Sequence, residues 1–143
     1  MMRKHLLIAA CLYLALPVLA PVLAEEKPAI TVTPIVTAST TATGQPIRMP
    51  EGDLDMVAAL YEIAPGAILP EHRHPYPRYA YVQQGTLQVD NTEAGTSVVY
   101  KPGDVVVEAV GQWHQGTNIG TEPVRLLVFD FIEKGETNVE LKQ

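Results

Sequence analysis

The chain contains four histidines, and three of them lie in two short glycine-bounded segments. His72 and His74 sit in the first, Gly66 to Gly85 (GAILPEHRHPYPRYAYVQQG), and His114 in the second, Gly103 to Asn118 (GDVVVEAVGQWHQGTN). Two histidines one residue apart fall on the same face of an extended strand, because side chains alternate with period two. Their imidazoles can then converge on one ion. A third imidazole from the later segment would complete a neutral nitrogen donor set for a borderline metal such as Zn, Cu, Fe or Ni, with coordination positions left open. An isolated His-x-His is equally at home as a solvent-facing or hydrogen-bonded pair. The residue types alone therefore leave metal binding open.

These residues must be positioned by strands. Leu54–Ala64, Tyr79–Gln83, Thr86–Asp90, Thr96–Lys101, Val105–Ala109 and Val124–Ile132 are short apolar or β-branched runs, separated by glycine, proline or Asn/Asp-rich turns. Runs of this length and spacing predict an all-β sandwich or barrel. Leu54–Ala64 is also rich in Ala and Leu and could form a helix; the alternation of Tyr61 and Ile63 about Glu62 favours a strand. Residues 25–45 are rich in Thr, Ala and Pro, and Pro28, Pro34 and Gly44 exclude a long helix there. They read as an N-terminal arm, with Ile30–Val36 as an edge strand that tolerates proline. Residues 46–143 form the barrel domain.

The N-terminus reads as a targeting segment. Arg3, Lys4 and His5 precede the apolar run Leu6–Ala24, which ends Val22-Leu23-Ala24 before the acidic Glu25-Glu26. This is the layout of a secretory signal peptide over residues 1–24, cleaved after Ala24, and it predicts a periplasmic or secreted protein. A retained membrane anchor or a lipoprotein modified at Cys11 are the alternatives. Cleavage removes Cys11, the only cysteine, and with it any disulfide, thiolate nucleophile or cysteine ligand. It also leaves eight basic against sixteen acidic residues, a formal charge of −8. Such a surface repels nucleic acid and anionic membranes, so neither is expected as a partner. With no disulfide, packing must hold the chain, aided by a metal or by a homodimer.

The two histidine segments together resemble the paired motifs of the cupin superfamily. Gly66, His72, His74 and Gly85 stand at the spacings of the first motif, and Gly103, Gly111, His114 and Asn118 at those of the second. The resemblance implies a single small jelly-roll β-barrel in which the first motif supplies two histidines and a glutamate to a metal, and the second supplies a histidine. The chain departs from that pattern in two places. Ala109 replaces a proline. More consequentially, the glutamate position is taken by Arg78, or by Tyr79 if one more residue intervenes.

An arginine cannot ligate a metal, and beside one it would lower affinity. Three readings of Arg78 stay open: it points outward against one of the many acids; it faces inward and receives an anionic substrate group bidentately; or it replaces the metal's charge. Glu108, an acid in the apolar run Val105–Val110, either faces outward or supplies the missing ligand or a general base raised in pKa by burial. Arg78, Tyr79 and Glu108 are thus the candidate catalytic groups, and His72, His74 and His114 the candidate ligands of one divalent transition metal (Fe, Mn, Ni, Cu or Zn). Tyr76, Tyr79, Tyr81 and Trp113 would suit a pocket for a small aromatic or apolar ligand, with Pro75 and Pro77 stiffening its mouth. The expected function is metal-dependent chemistry on a small organic molecule, dioxygenase-like in type. A non-catalytic ligand- or metal-binding barrel and a metal-free cupin are the alternatives.

Overall fold

Period-two alternation is strongest in Val124–Glu133, where Val124, Leu126, Val128, Asp130 and Ile132 are buried and the residues between them are not. This strand is the spine of the first sheet. The computed structural model describes residues 29–143, and Thr33–Gln143 form one unit. Among the described residues there are nine strands and no helix. In chain order they are β1 (Leu54–Ile63), β2 (His72–Arg73), β3 (Arg78–Gln84), β4 (Leu87–Asn91), β5 (Thr96–Tyr100), β6 (Val105–Val107), β7 (His114–Asn118), β8 (Val124–Glu133) and β9 (Glu140–Leu141). They form two antiparallel sheets, ordered β1-β8-β3-β6 and β5-β4-β7-β2-β9. This is the all-β jelly-roll expected from the sequence. Leu54–Ala64 is strand, not helix, and pairs along its length with β8, from Leu54 opposite Glu133 to Ile63 opposite Val124.

Between the sheets lies an aliphatic core of Ile63, Ala80, Val82, Leu87, Val106, Val124, Leu126 and Val128. Asn118, 1 % exposed, ties one end of the barrel together. Its Nδ2 donates to the carbonyls of Ile63 (2.9 Å) and Glu122 (2.8 Å), and its Oδ1 accepts from the Gly120 amide. The motif asparagine is therefore a structural clamp between β1, β7 and the turn before β8.

Ile30–Val36 does not form the expected edge strand; the segment is exposed and carries no ladder, and Pro34 cannot donate to one. What docks instead is the turn after it. The Ala42 amide donates to the Val107 carbonyl, and the Gln45 side chain pairs both backbone groups of Val110 at 2.9 Å. The proposed signal peptide, residues 1–24, lies outside the described residues.

Gly85 links β3 to β4 with φ +80°, and a Cβ there would lie 2.7 Å from the Pro123 carbonyl oxygen and 2.8 Å from Val124 Cα. Both obstacles are backbone. Gly95 has φ +66° but open space around it. Gly85→Ala is therefore expected to cost about 3 kcal/mol, from left-handed strain and overpacking together, and Gly95→Ala only about 1 kcal/mol. Urea unfolding midpoints check the difference; equal losses would contradict it.

Candidate metal centre

His72 and His114 are direct cross-strand partners on β2 and β7. His74 follows just past the end of β2, where its backbone bridges to Val110. The three rings stand with centroids 4.5–4.9 Å apart. Each is oriented by the same device: Nδ1 meets a backbone carbonyl, that of Pro70 for His72 (2.7 Å), Asn138 for His74 (2.6 Å) and Gln112 for His114 (2.9 Å). A carbonyl only accepts, so Nδ1 carries the proton and Nε2 presents a lone pair. One ligand nitrogen from each ring lies within 4.8 Å of the other two. His74 and His114 are buried, and His72 is half-buried.

Burial alone would make this arrangement costly. The Nε2 of His114 is buried and has no hydrogen-bond partner, while Glu108 Oε2 stands 3.3 Å from it. A lone pair facing a carboxylate oxygen needs a proton or a cation nearby. Burial raises the Glu108 carboxyl above its ordinary range, partly opposed by the charges of His114 and Arg78. Burial, and then Arg78, pushes His74 down to about 2; burial likewise lowers His72. For His72 and His74 both shifts favour the neutral imidazole, the state that binds metal. Oriented lone pairs, one of them orphaned, fit a metal ion.

Arg78 combines parts of two of its readings. It faces inward and is paired with an acid at once: Nε donates to Asp130 Oδ1 and Nη2 to Asp130 Oδ2, both at 2.7 Å. The two residues are direct partners across β3 and β8. Its bidentate edge is therefore already occupied, and the pair is neutral, so Arg78 does not stand in for a metal's charge. Its third nitrogen, Nη1, lies 3.4 Å from His74 Nε2. Asn138 holds the assembly from behind. Its carbonyl orients His74, its Nδ2 donates to Asp130 Oδ1 (2.7 Å), and its Oδ1 accepts from the Tyr76 amide (2.8 Å).

Tyr79 is not brought to this site. With Arg78 inward, period two turns Tyr79 to the other face of β3, where it packs edge-on against Phe131 at 5.9 Å. The expected aromatic pocket is corrected in the same way. The cavity beside the histidines, about 180 Å3, is lined by Tyr61 and by aliphatic side chains including Leu69, Leu87, Leu126 and Val128, with none of Tyr76, Tyr79, Tyr81 or Trp113. Trp113 instead lies under Arg73 and Lys142. Pro75 and Pro77 border a separate outer groove. Glu108 does line the cavity, against its outward reading.

Asp130, Asn138 and Tyr61 also belong to the site, although neither the histidine spacing nor the paired motifs point to them. Asp130 carried a signal, since alternation in VRLLVFDFI places it on the face of Val124, Leu126 and Val128.

A family model for the cupin domain matches residues 59–130, half of the chain. The chain belongs to the cupin family. The match includes all three histidines, Arg78, Glu108 and Asp130, and ends before Asn138. No curated protein matches this cupin significantly. Among solved structures it is similar to the polyketide cyclase RemF from Streptomyces resistomycificus, with 22 % identity over 60 % of this chain and 59 % of the cyclase and a TM-score of 0.51. A cupin 2 conserved barrel domain protein from Salinispora arenicola shares 20 % identity over 62 % of this chain and 71 % of its own, with a TM-score of 0.49. An oxalate decarboxylase from Lactobacillus farciminis shares 31 % over 55 % of this cupin and 26 % of its own chain, with a TM-score of 0.46. The cyclase likeness shows the fold, and this cupin spans about three-fifths of that protein's length.

The depressed His74 makes a stability prediction. Between an ordinary histidine's 6.5 and about 2, the unfolded chain binds a proton there that the folded chain does not. Stability of the metal-free protein therefore rises with pH through that window and falls on acidification, by up to about 1.4 kcal/mol per pH unit from this residue. The raised Glu108 acts in the opposite sense. Comparing denaturation of wild type and His74→Gln from pH 7 to 5 isolates the histidine; parallel curves would contradict its burial in the neutral form.

Proposed function

We propose that this cupin binds one divalent transition metal through His72, His74 and His114 and acts on a small organic molecule in the adjoining cavity. The observation that carries the reading is the convergence of three imidazoles, each offering one nitrogen within 4.8 Å of the other two, with Nδ1 of every ring held by a carbonyl and His114 Nε2 without a hydrogen-bond partner. Fe, Mn, Ni, Cu and Zn all suit imidazole to different degrees, and the donor set does not choose among them. When bound, such an ion supplies Lewis-acid or redox chemistry, including oxygen chemistry of the dioxygenase type.

The chain's own residues perform the rest. Carbonyls of Pro70, Gln112 and Asn138 fix the imidazoles, so little reorganisation is needed on loading. Glu108, held beside His114 in a buried place that raises its carboxyl above the ordinary range, is placed to give a proton to, or take one from, a ligand atom. The aliphatic wall excludes water and receives the apolar part of the molecule. A pocket opening directly onto the histidines favours chemistry over metal storage.

Elemental analysis of purified protein should find one equivalent of a transition metal, and His72→Ala and His114→Ala should each bring binding below detection. A protein that is metal-free and cannot be reconstituted would overturn the proposal.

We further propose export, supported by the basic start, the apolar run and the Ala24-Glu25 junction. Mass spectrometry of the mature protein should show a chain beginning at Glu25. An intact Met1 or a lipidated Cys11 would contradict it.

A further inference from the structure

Arg78 has three guanidinium nitrogens, and Asp130 takes two of them. We propose that the third, Nη1, together with the histidine-bound metal, forms a seat for the anionic oxygen of a small monocarboxylate with an apolar body. The inference rests on the metal reading above and names the ligand class of that same site.

The guanidinium cannot turn away. Its fork is locked on Asp130, Asp130 is held by Asn138 Nδ2, and Tyr61 Oη stands 3.4 Å from Nη2. Only 7 % of the residue is exposed. The recorded partner of Nη1 is His74 Nε2 at 3.4 Å, a long contact to a lone pair. A metal ligated by His74 takes that lone pair, and Nη1 loses its acceptor. A buried charged donor without a partner is costly, so loading the metal creates a demand for a new acceptor beside it. Glu108, the carboxylate that lines the cavity, faces His114 Nε2 instead.

Charge points the same way. Three neutral imidazoles add no charge to a divalent ion, the Arg78–Asp130 pair is itself neutral, and one carboxylate, Glu108, offsets at most one unit, so an incoming monoanion is favoured. The body of the ligand is read from the wall opposite. Ile63, Leu69, Leu87, Leu126 and Val128 offer no hydrogen bonds, which disfavours sugars and polyols. Gly116, two residues beyond His114 on the same inward face of β7, keeps this space open. It lies outside the left-handed region, so the backbone does not require glycine, yet a Cβ there would come within 3.2 Å of Leu69 Cδ1 and 3.5 Å of Leu87 Cδ1.

The probes are acetate and benzoate, titrated into the Co(II)-loaded protein while the cobalt visible spectrum is followed. Saturable binding of both is expected, with benzoate roughly tenfold tighter because its ring is buried against the wall. Calorimetry should show no saturable benzoate binding to the metal-free protein. Arg78→Gln alone would strand Asp130, so the variant is Arg78→Gln with Asp130→Asn, which removes both charges. It should keep one cobalt and lose at least tenfold in affinity for both anions. Gly116→Val, which leaves the charged groups intact, should weaken benzoate more than acetate.

Cobalt retained by wild type with no anion binding, or with binding unchanged in the double variant, would overturn the proposal while the metal reading stands. Equal effects of Gly116→Val on the two anions would overturn the apolar body. Failure of wild type to retain cobalt would sink the metal reading, and this proposal with it.

Discussion

Arg78 and Asp130 face each other across β3 and β8 with both side chains turned into the barrel, and a buried charge pair of this kind constrains everything around it. Removing either partner would leave an uncompensated charge inside, a loss of about 3–5 kcal/mol in comparable cases. The pair survives because its geometry is bidentate and because Asn138 gives the carboxylate a third hydrogen bond. Asn138 also orients His74 through its carbonyl. The C-terminal segment, the two charges and one histidine therefore form a single polar unit set into an aliphatic barrel.

That unit explains how the site accommodates an arginine where the family pattern places a metal-binding glutamate. A lone guanidinium beside three imidazoles would oppose a cation. Neutralised by Asp130, it becomes instead a fixed donor with one nitrogen directed at the centre. The carboxyl nearest the imidazoles is instead that of Glu108, which reaches within 3.3 Å of His114 Nε2 from the segment just after β6. The two substitutions from the family pattern thus have different weights: Ala109 is simply buried in the segment after β6, whereas Arg78 reorganises the polar interior.

Much of this was legible in the sequence. Short apolar or β-branched runs set between turns predicted β1, β3, β4, β5, β6 and β8 near their observed bounds, and strand alternation put His72 and His74 on one face, free to converge with His114. The same alternation could have excluded Tyr79 once Arg78 was placed inward, since neighbours on a strand face opposite ways. It could also have flagged Asp130 as an acid on an apolar face. β2 and β9, each two residues long, were not legible because two residues carry no periodicity. Asn138 was hidden for a deeper reason. It orients His74 with a backbone carbonyl, a group every residue has, so its identity gives no sign of that role. The exposed arm is no strand because, among the described residues, none pairs with Ile30–Val36.

The proposed metal centre requires three Nδ1-protonated imidazoles to offer their Nε2 atoms to one ion. Long-range proton–nitrogen NMR correlation spectra of the metal-free protein and of its zinc-loaded form test it directly. The metal-free spectrum should show His72, His74 and His114 in the Nδ1-protonated tautomer at pH 7, and one equivalent of zinc should shift all three Nε2 resonances while leaving each Nδ1 protonated. Zinc bound through Nδ1, or three Nε2 resonances unmoved by zinc, would contradict it.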